Sequence, residues 1–522
     1  MNLLKRSSHS FSLKKPPLLL AAAFVLSLLF LLVGSKSSPL YPMNDNVDLN
    51  VYMTVGREML AGRVPYRDLF EQKGPLLFML HAFLALFFRS SYFGVYLLEV
   101  LCFALFLYYS GKICALYVKN RLFPYLVMLF LGIAFPLAPS FMNTGSMEEI
   151  YLFAFVMPGY FVLRALREDR CLSFRENLLI GLLAGYGFWT KYTFCGFFAA
   201  LALFVVLWYI SRKRFRPLAK TAGQMLLGLG IATLPVLLYF LATGALPNLI
   251  QAYFTDNMTL YSQTAVPGLK KVWDSLVTTL RSNRQAYGWL FIPGGLYLLL
   301  GLWKHWRESL FVLLAFAGLA ITTYINSPGY SYYGLSLAPF SLCGLVGLAW
   351  GAEKLLLYWG IPLDALSLGP SRRAALLLGL GALLLTGTGM LAIRFFSSSA
   401  YLMDYSREEL PQYQFAQTIR QTPDATLLNY WFLDGGFYYI SGAVPVNRYF
   451  CFFNINPPDL KPEQENVILN AEVDYVVCRR DPLPERLLKE KQYELVQTAN
   501  FFFSTRYYNY YLYKRVVPPS SH

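Results

Sequence analysis

The chain is short of charge. Only 14% of its 522 residues are Asp, Glu, Lys or Arg, against about a quarter in a soluble domain. That deficit excludes an ordinary water-soluble fold. Histidine is scarcer still: His9, His81, His305 and His522 are scattered, so neither a His-based triad nor a zinc cluster is expected. The seven cysteines show no CxxC and no metal-ligand spacing. Cys102, Cys114, Cys195 and Cys343 lie in or beside apolar runs, where a thiol acts as a small hydrophobe. Cys451 and Cys478 fall in the polar C-terminal region and pair only if the fold brings them together. There is no internal repeat and no low-complexity tract.

What remains is apolar. Hydrophobic residues make up 56% and aromatics 17% of the chain, and the mean hydropathy is +0.42. The net charge of +15 sits in short loops between apolar runs, which is the cytoplasmic-loop pattern of a membrane protein rather than a nucleic-acid footprint. The run from Pro16 to Gly34 exceeds a signal-peptide core and ends without a clean cleavage site, so it reads as an uncleaved anchor. Lys5, Arg6, Lys14 and Lys15 before it place the N-terminus in the cytoplasm.

Further apolar runs recur at Phe93–Ile113, Leu122–Ala138, Ile150–Leu166, Leu178–Trp189, Phe194–Ile210, Met225–Leu241, Trp289–Trp303, Leu310–Ile325, Leu335–Trp350 and Ala374–Ile393. With the anchor they make about eleven membrane-spanning helices, a few of them short. Leu76–Phe88 is apolar too, but follows the Gly74-Pro75 break. Counting it as a span would move every basic loop outside, among them Lys112/Lys119/Arg121, Arg164–Arg175 and Arg372/Arg373, against the positive-inside rule. It is therefore expected to be an interfacial or re-entrant helix on the outer face. Residues 1–395 then form a polytopic α-helical domain. Residues 396–522 form an extracytoplasmic α/β domain, with strands at "ATLLNYWFL", "VDYVVCRR" and "YNYYLYKRV" and a helix at "REELPQYQFAQTIRQ".

Two acidic features stand out on the outer side. Asp45 and Asp48 lie in the first outer loop, before the helix-spaced "VYMTVGREML", whose Val51, Val55, Met59 and Leu60 form an apolar stripe suited to the membrane plane. Glu148 and Glu149 open a span after the turn "NTGS", a placement the helix dipole also favours on structural grounds alone. Arg67, Lys73 and Lys191 lie in neighbouring outer turns. A carboxylate base beside cations at the lipid boundary suits a substrate with a phosphate at headgroup level and a reacting hydroxyl above it. Nucleotide-activated donors are cytoplasmic, so an outward-facing transferase needs a donor carried on a lipid.

The stretch "DLNVYMTVGREML", followed by "GRVPYRD" and "KGPLLF", resembles the first outer loop of GT-C glycosyltransferases, the bacterial relatives of protein O-mannosyltransferases and of the lipid A aminoarabinose transferase. Asp48, Tyr52, Arg57-Glu58-Met59-Leu60, Gly62 and Lys73-Gly74-Pro75-Leu76 match that pattern in order. "TGSMEE" is similar to the second acidic motif of oligosaccharyltransferase catalytic subunits. The resemblance implies a GT-C fold with juxtamembrane helices in the first outer loop. It implies a multi-pass cell-membrane enzyme that moves a sugar, with inversion, from a polyprenyl-phosphate donor to a cell-envelope acceptor. It makes Asp48 the general base, with Asp45 the competing choice because the chain reads "DNVD" and lacks the adjacent acid of the family. Lys73, Lys191 and Arg67 would counter the lipid phosphate. Glu71 lies near a family acid, although Gln72 departs from the pattern, and a divalent cation stays open. Where relatives often carry His-Tyr, this chain has Tyr332-Tyr333. Two rivals are a transporter or flippase for lipid-linked sugars and a noncatalytic protein that presents them. The first usually shows paired repeats and mid-membrane ionisable residues, which are missing here.

Overall fold

The computed structural model describes residues 16–261, 268–325, 330–360, 372–455, 457–488, 492–503 and 506–516. Among the described residues, sixteen α-helices precede the C-terminal region: α1 (Pro16–Gly34), α2 (Val47–Leu60), α3 (Pro75–Phe87), α4 (Phe93–Tyr117), α5 (Phe123–Ala134), α6 (Met147–Tyr151), α7 (Phe153–Arg167), α8 (Phe174–Thr190), α9 (Cys195–Ser211), α10 (Phe215–Ala242), α11 (Leu246–Leu249), α12 (Leu269–Ser282), α13 (Phe291–Lys304), α14 (Trp306–Tyr324), α15 (Leu342–Tyr358) and α16 (Arg372–Phe396). Among the described residues, eight helical stretches are long and apolar enough to cross a membrane. Three expected spans are helical but shorter, namely α5, α8 and α13.

The loops gather at two opposite ends. At one end, Lys36 N donates to Asn143 O, Ser399 Oγ to Gly34 O and Gly74 N to Thr190 O. At the other, Glu353 accepts from the amides of Lys119 and Asn120, and Arg167 pairs with Glu308. These are the two loop sets that charge parity assigns to opposite faces.

At the first end sits a small α/β domain. It contains α17 (Pro411–Ile419), α18 (Phe437–Ser441) and α19 (Leu460–Leu469), with β1 (Thr426–Tyr430), β2 (Val444–Pro445), β3 (Tyr475–Arg479), β4 (Tyr493–Phe503) and β5 (Arg506–Arg515). The sheet order is β2-β1-β3-β5-β4. β1 pairs in parallel with β2 and β3, and β5 lies antiparallel between β3 and β4. The strand expected at "VDYVVCRR" is β3, buried at the centre of the sheet. Cys451 and Cys478 are buried and free.

The domain is docked through the first loop. Arg57 donates to Tyr438 O and Ala443 O while pairing with Glu58. Thr54 Oγ1 donates to Asp434 at 2.9 Å. Burial pushes the Asp434 carboxyl up to about 6, against the backbone and Thr54 hydrogen bonds that lower it. One apolar core joins Leu49, Val55 and Phe78 to Phe437, Tyr449 and Phe453. This corrects one expectation: the stripe Val51/Val55 does not lie on lipid but is buried in that shared core. The pattern of a helix facing lipid and one facing a second domain is the same, because both neighbours are apolar. α3, only 13 residues long, exposes Phe83, Leu86 and Phe87 along one side.

Candidate active site

α2 begins at Asn46, whose side chain accepts from Leu49 N at 2.8 Å. The cap fixes the first turn, and with it Asp48. Tyr52, four residues on, falls on the same helix face. The chain then loops back, and Pro75 starts α3 directly after Gly74. A Cβ on Gly74 would lie 2.1 Å from Trp189 O. Only glycine permits that approach, which brings Lys73 against the end of α8 and its C-cap residue Lys191. Ser146 caps α6 by accepting from Glu149 N, placing Glu148 in the first turn.

These elements converge. Asp48, Tyr52, Lys73, Glu148, Lys191 and Tyr332 line one small cavity with Ser146 and Met147. Its volume, about 10 Å³, is room for a single water. Lys191 Nζ is ion-paired with Glu148, and it lies 3.6 Å from the centroid of the Tyr333 ring and 5.7 Å from that of Tyr332. Burial lowers the Lys191 pKa, Glu148 opposes that effect, and the charge on Lys73 reinforces it. The Tyr52 hydroxyl is pushed well above its ordinary range by burial, then by Asp48, Glu71 and Glu148. It stays a neutral hydrogen-bonding group. Asp48 is half-buried.

Glu71, near Lys73 and Asp48, is buried. Burial raises its carboxyl to about 7, Lys73 opposes the rise and Asp48 adds to it. Its Oε1 accepts from the amides of Gln72 and Lys73 at 2.9 and 3.2 Å. Those bonds make Glu71 a support for the Lys73 backbone. Among the described residues, no group of three or more His, Cys, Asp or Glu could hold a metal ion.

Three expected residues lie elsewhere. Asp45 is buried and paired with Lys36 at 2.6 Å, and it also accepts from the Tyr401 hydroxyl. Arg67 projects outward, paired with Asp68 at 2.8 Å and donating to Thr243 O. Glu149 turns away from its neighbour Glu148 to accept from the amides of Thr144 and Gly145. Sequence reasoning did not single out Lys36 or Tyr401. Lys36 was legible as the one cation directly after the anchor. Tyr401 was not, because 356 residues separate it from Asp45.

The fold has counterparts among solved structures. ArnT from Cupriavidus metallidurans bound to undecaprenyl phosphate superposes with a TM-score of 0.59 at 14% identity, covering 95% of this chain and 97% of that one. The chain has the GT-C fold. The apo state of the same ArnT gives a TM-score of 0.55 at the same identity and coverage. No family model and no curated protein matches the chain by sequence. The GT-C assignment therefore rests on the superposition of three-dimensional structures.

Proposed function

We propose that the protein is a membrane glycosyltransferase that moves a sugar from a polyprenyl-phosphate donor to a hydroxyl of a cell-envelope acceptor, on the outer face of the cell membrane. The observation that carries this reading is the meeting of Asp48, Lys73 and Lys191 in one cavity of a GT-C fold. The ArnT structure of that fold holds undecaprenyl phosphate, which supports a lipid-linked donor here. The basic loops at the end opposite the sheet domain support a cytoplasmic N-terminus and an outward-facing domain.

In this reading Asp48 takes the proton of the acceptor hydroxyl as its oxygen attacks the anomeric carbon. The bond from that carbon to the phosphate oxygen breaks on the opposite side, giving inversion. The lipid phosphate leaves with the bonding pair, and Lys73 and Lys191 balance its added negative charge in a poorly hydrated setting. Tyr52 and Tyr332 flank the reacting groups. The cavity is too small for a sugar phosphate, so donor binding has to part Lys191 from Glu148 and transfer part of that charge interaction to the phosphate. Asp45 is not needed as base, since Lys36 and Tyr401 already occupy it.

The test is Asp48→Asn in the full-length protein, assayed for loss of sugar from polyprenyl phosphate and for donor binding. Transfer should fall by at least about 10²-fold, the usual contribution of a general base, with donor binding kept. Undiminished transfer would remove Asp48 from the mechanism. Profiling lipid-linked sugars in a deletion strain would identify the donor as the species that accumulates.

A further inference from the structure

A cavity of about 590 Å³ lies between α4, α7, α9, α13, α14 and α15 and shares no residue with the catalytic cavity. Its volume falls within the roughly 300–1,000 Å³ of small-ligand sites. The walls are mostly apolar, with Leu163, Phe311, Val312 and Val346 among them. Gly159 of α7 opens onto the space, and a Cβ built there would meet nothing within 4 Å. Along α7 the lining runs from Arg167 back to Phe155, about 18 Å at 1.5 Å per residue. Half of a bilayer's hydrocarbon core is about 15 Å, so the cavity is about as deep as one leaflet.

The polar lining is gathered at one end, the loop end opposite the sheet domain. There Glu308 accepts from the Tyr117 hydroxyl at 2.6 Å and pairs with Arg167 at 3.4 Å, so its charge is already matched. Lys304 and His305, exposed beside it in the turn "WKHWR", complete that end. Neither Lys304 nor Arg307 of this turn has an ion-pair partner among the described residues, and Arg307 Nε is buried without a hydrogen bond. Trp303 and Trp306 frame the turn, 93% and 49% exposed, as tryptophans do at headgroup level. Leu300, which also lines the cavity, is exposed as well, giving the entrance an apolar side next to its charged one.

We propose that this cavity binds one anionic phospholipid, with an acyl chain in the apolar space and the phosphate at Lys304 and Arg307. Depth, lining and charge agree on that occupant. The space matches the chain of a lipid standing in the leaflet at this end, and the aromatic turn sets the level of its headgroup. A phosphate supplies the acceptor oxygens and the negative charge that the two cations lack. The chain of the sugar donor is a poorer fit, because its phosphate is assigned to Lys73 and Lys191 at the opposite end. Only the name of the leaflet, cytoplasmic, rests on the topology given under the proposed function; the lipid site does not. Pro339 and Phe340 line the cavity and belong to the 3₁₀ segment Ser331–Ser341, which carries Tyr332 to the catalytic cavity. A bound lipid therefore braces that segment from the far side.

The experiment uses the full-length protein, delipidated in detergent and titrated with phosphatidylglycerol or phosphatidylcholine, with retained lipid counted by native mass spectrometry. Wild type should saturate at one tightly held phosphatidylglycerol per chain and hold phosphatidylcholine more weakly. Lys304→Gln/Arg307→Gln should weaken phosphatidylglycerol binding by about 25-fold, roughly fivefold per cation. Gly159→Phe, which fills the cavity from α7, should abolish it. Asp48→Asn should bind as wild type does, so a failure of the transfer reaction leaves this result readable. The wild-type titration decides the matter even if Gly159→Phe fails to fold. Equal retention of both lipids, or no lipid held at a one-to-one ratio, would overturn the proposal. So would one-for-one displacement by undecaprenyl phosphate, which would give the cavity to the donor's chain.

Discussion

Lys191, at the end of α8, donates to Glu148, in the first turn of α6, with its ammonium 3.6 Å from the centre of the Tyr333 ring. Three loops far apart in sequence thus share one charge, and that charge lies beside Asp48 and Lys73.

Removing the ammonium leaves Glu148 buried and unpaired. Lys191→Met should lower stability by about 3–5 kcal/mol, the usual cost of breaking a buried pair. The Lys191→Met/Glu148→Gln double variant should recover most of that stability and still fail to transfer sugar, because the phosphate has lost a partner. Thermal unfolding and a transfer assay on both proteins check this; recovered activity in the double variant would take Lys191 out of donor binding.

Asp45 and Asp48 should separate cleanly. Asp45→Asn breaks the pair with Lys36 and should lower the melting temperature, yet the folded fraction should transfer sugar at a rate close to wild type. Asp48→Asn should show the opposite pattern, near-normal stability and lost transfer. Loss of transfer per folded molecule in Asp45→Asn alone would move the base to that residue.

Gly74 fixes the approach of Lys73 to Lys191. Gly74→Ala sets a methyl 2.1 Å from Trp189 O, so the loop has to move. Strain of about 1–3 kcal/mol is expected, together with a fall in transfer of order 10²-fold if Lys73 shifts by about 1 Å. A Gly74→Ala protein with wild-type stability and activity would show that the contact does not position the site.

Glu71 gives a pH signature. Its folded carboxyl sits at about 7, against 4.5 for the free side chain. The folded state therefore binds this proton more tightly. The corresponding stability is fully present below pH 4.5 and is lost as pH rises through 7. Glu71→Gln should remove that dependence, so wild type should lose on the order of 3 kcal/mol relative to the variant between about pH 4 and pH 8. Unfolding midpoints across that range test it, and parallel curves for the two proteins would contradict it.

Much was legible in order along the chain. Low charge and recurrent apolar runs required a membrane protein, because such segments have no other solvent. Loop charge parity sorted the loops into two sets, and those sets do gather at opposite ends. The strand-like "VDYVVCRR" and the helix-like "REELPQYQFAQTIRQ" hold β3 and α17. The short apolar run Leu76–Phe88, after the Gly74-Pro75 break, became the 13-residue helix α3.

Partnership was not legible in this way. Sequence placed Asp45 and Asp48 three residues apart, with Asp48 preferred as base and Asp45 the competing choice, and Glu148 and Glu149 side by side. Glu148 and Glu149 are successive on α6 and point about 100° apart, whereas Asp45 precedes the Asn46 cap and Asp48 lies in the first turn of α2, so each pair divides between different surroundings. Asp45 meets Lys36 and Tyr401 while Asp48 meets the lysine cavity; Glu148 meets Lys191 while Glu149 accepts from the amides of Thr144 and Gly145. Residue type determined which side chains could carry charge in this membrane fold. Only the packing of loops hundreds of residues apart decided which charges were cancelled and which were left to act, because desolvation and countercharge depend on neighbours that local sequence does not specify.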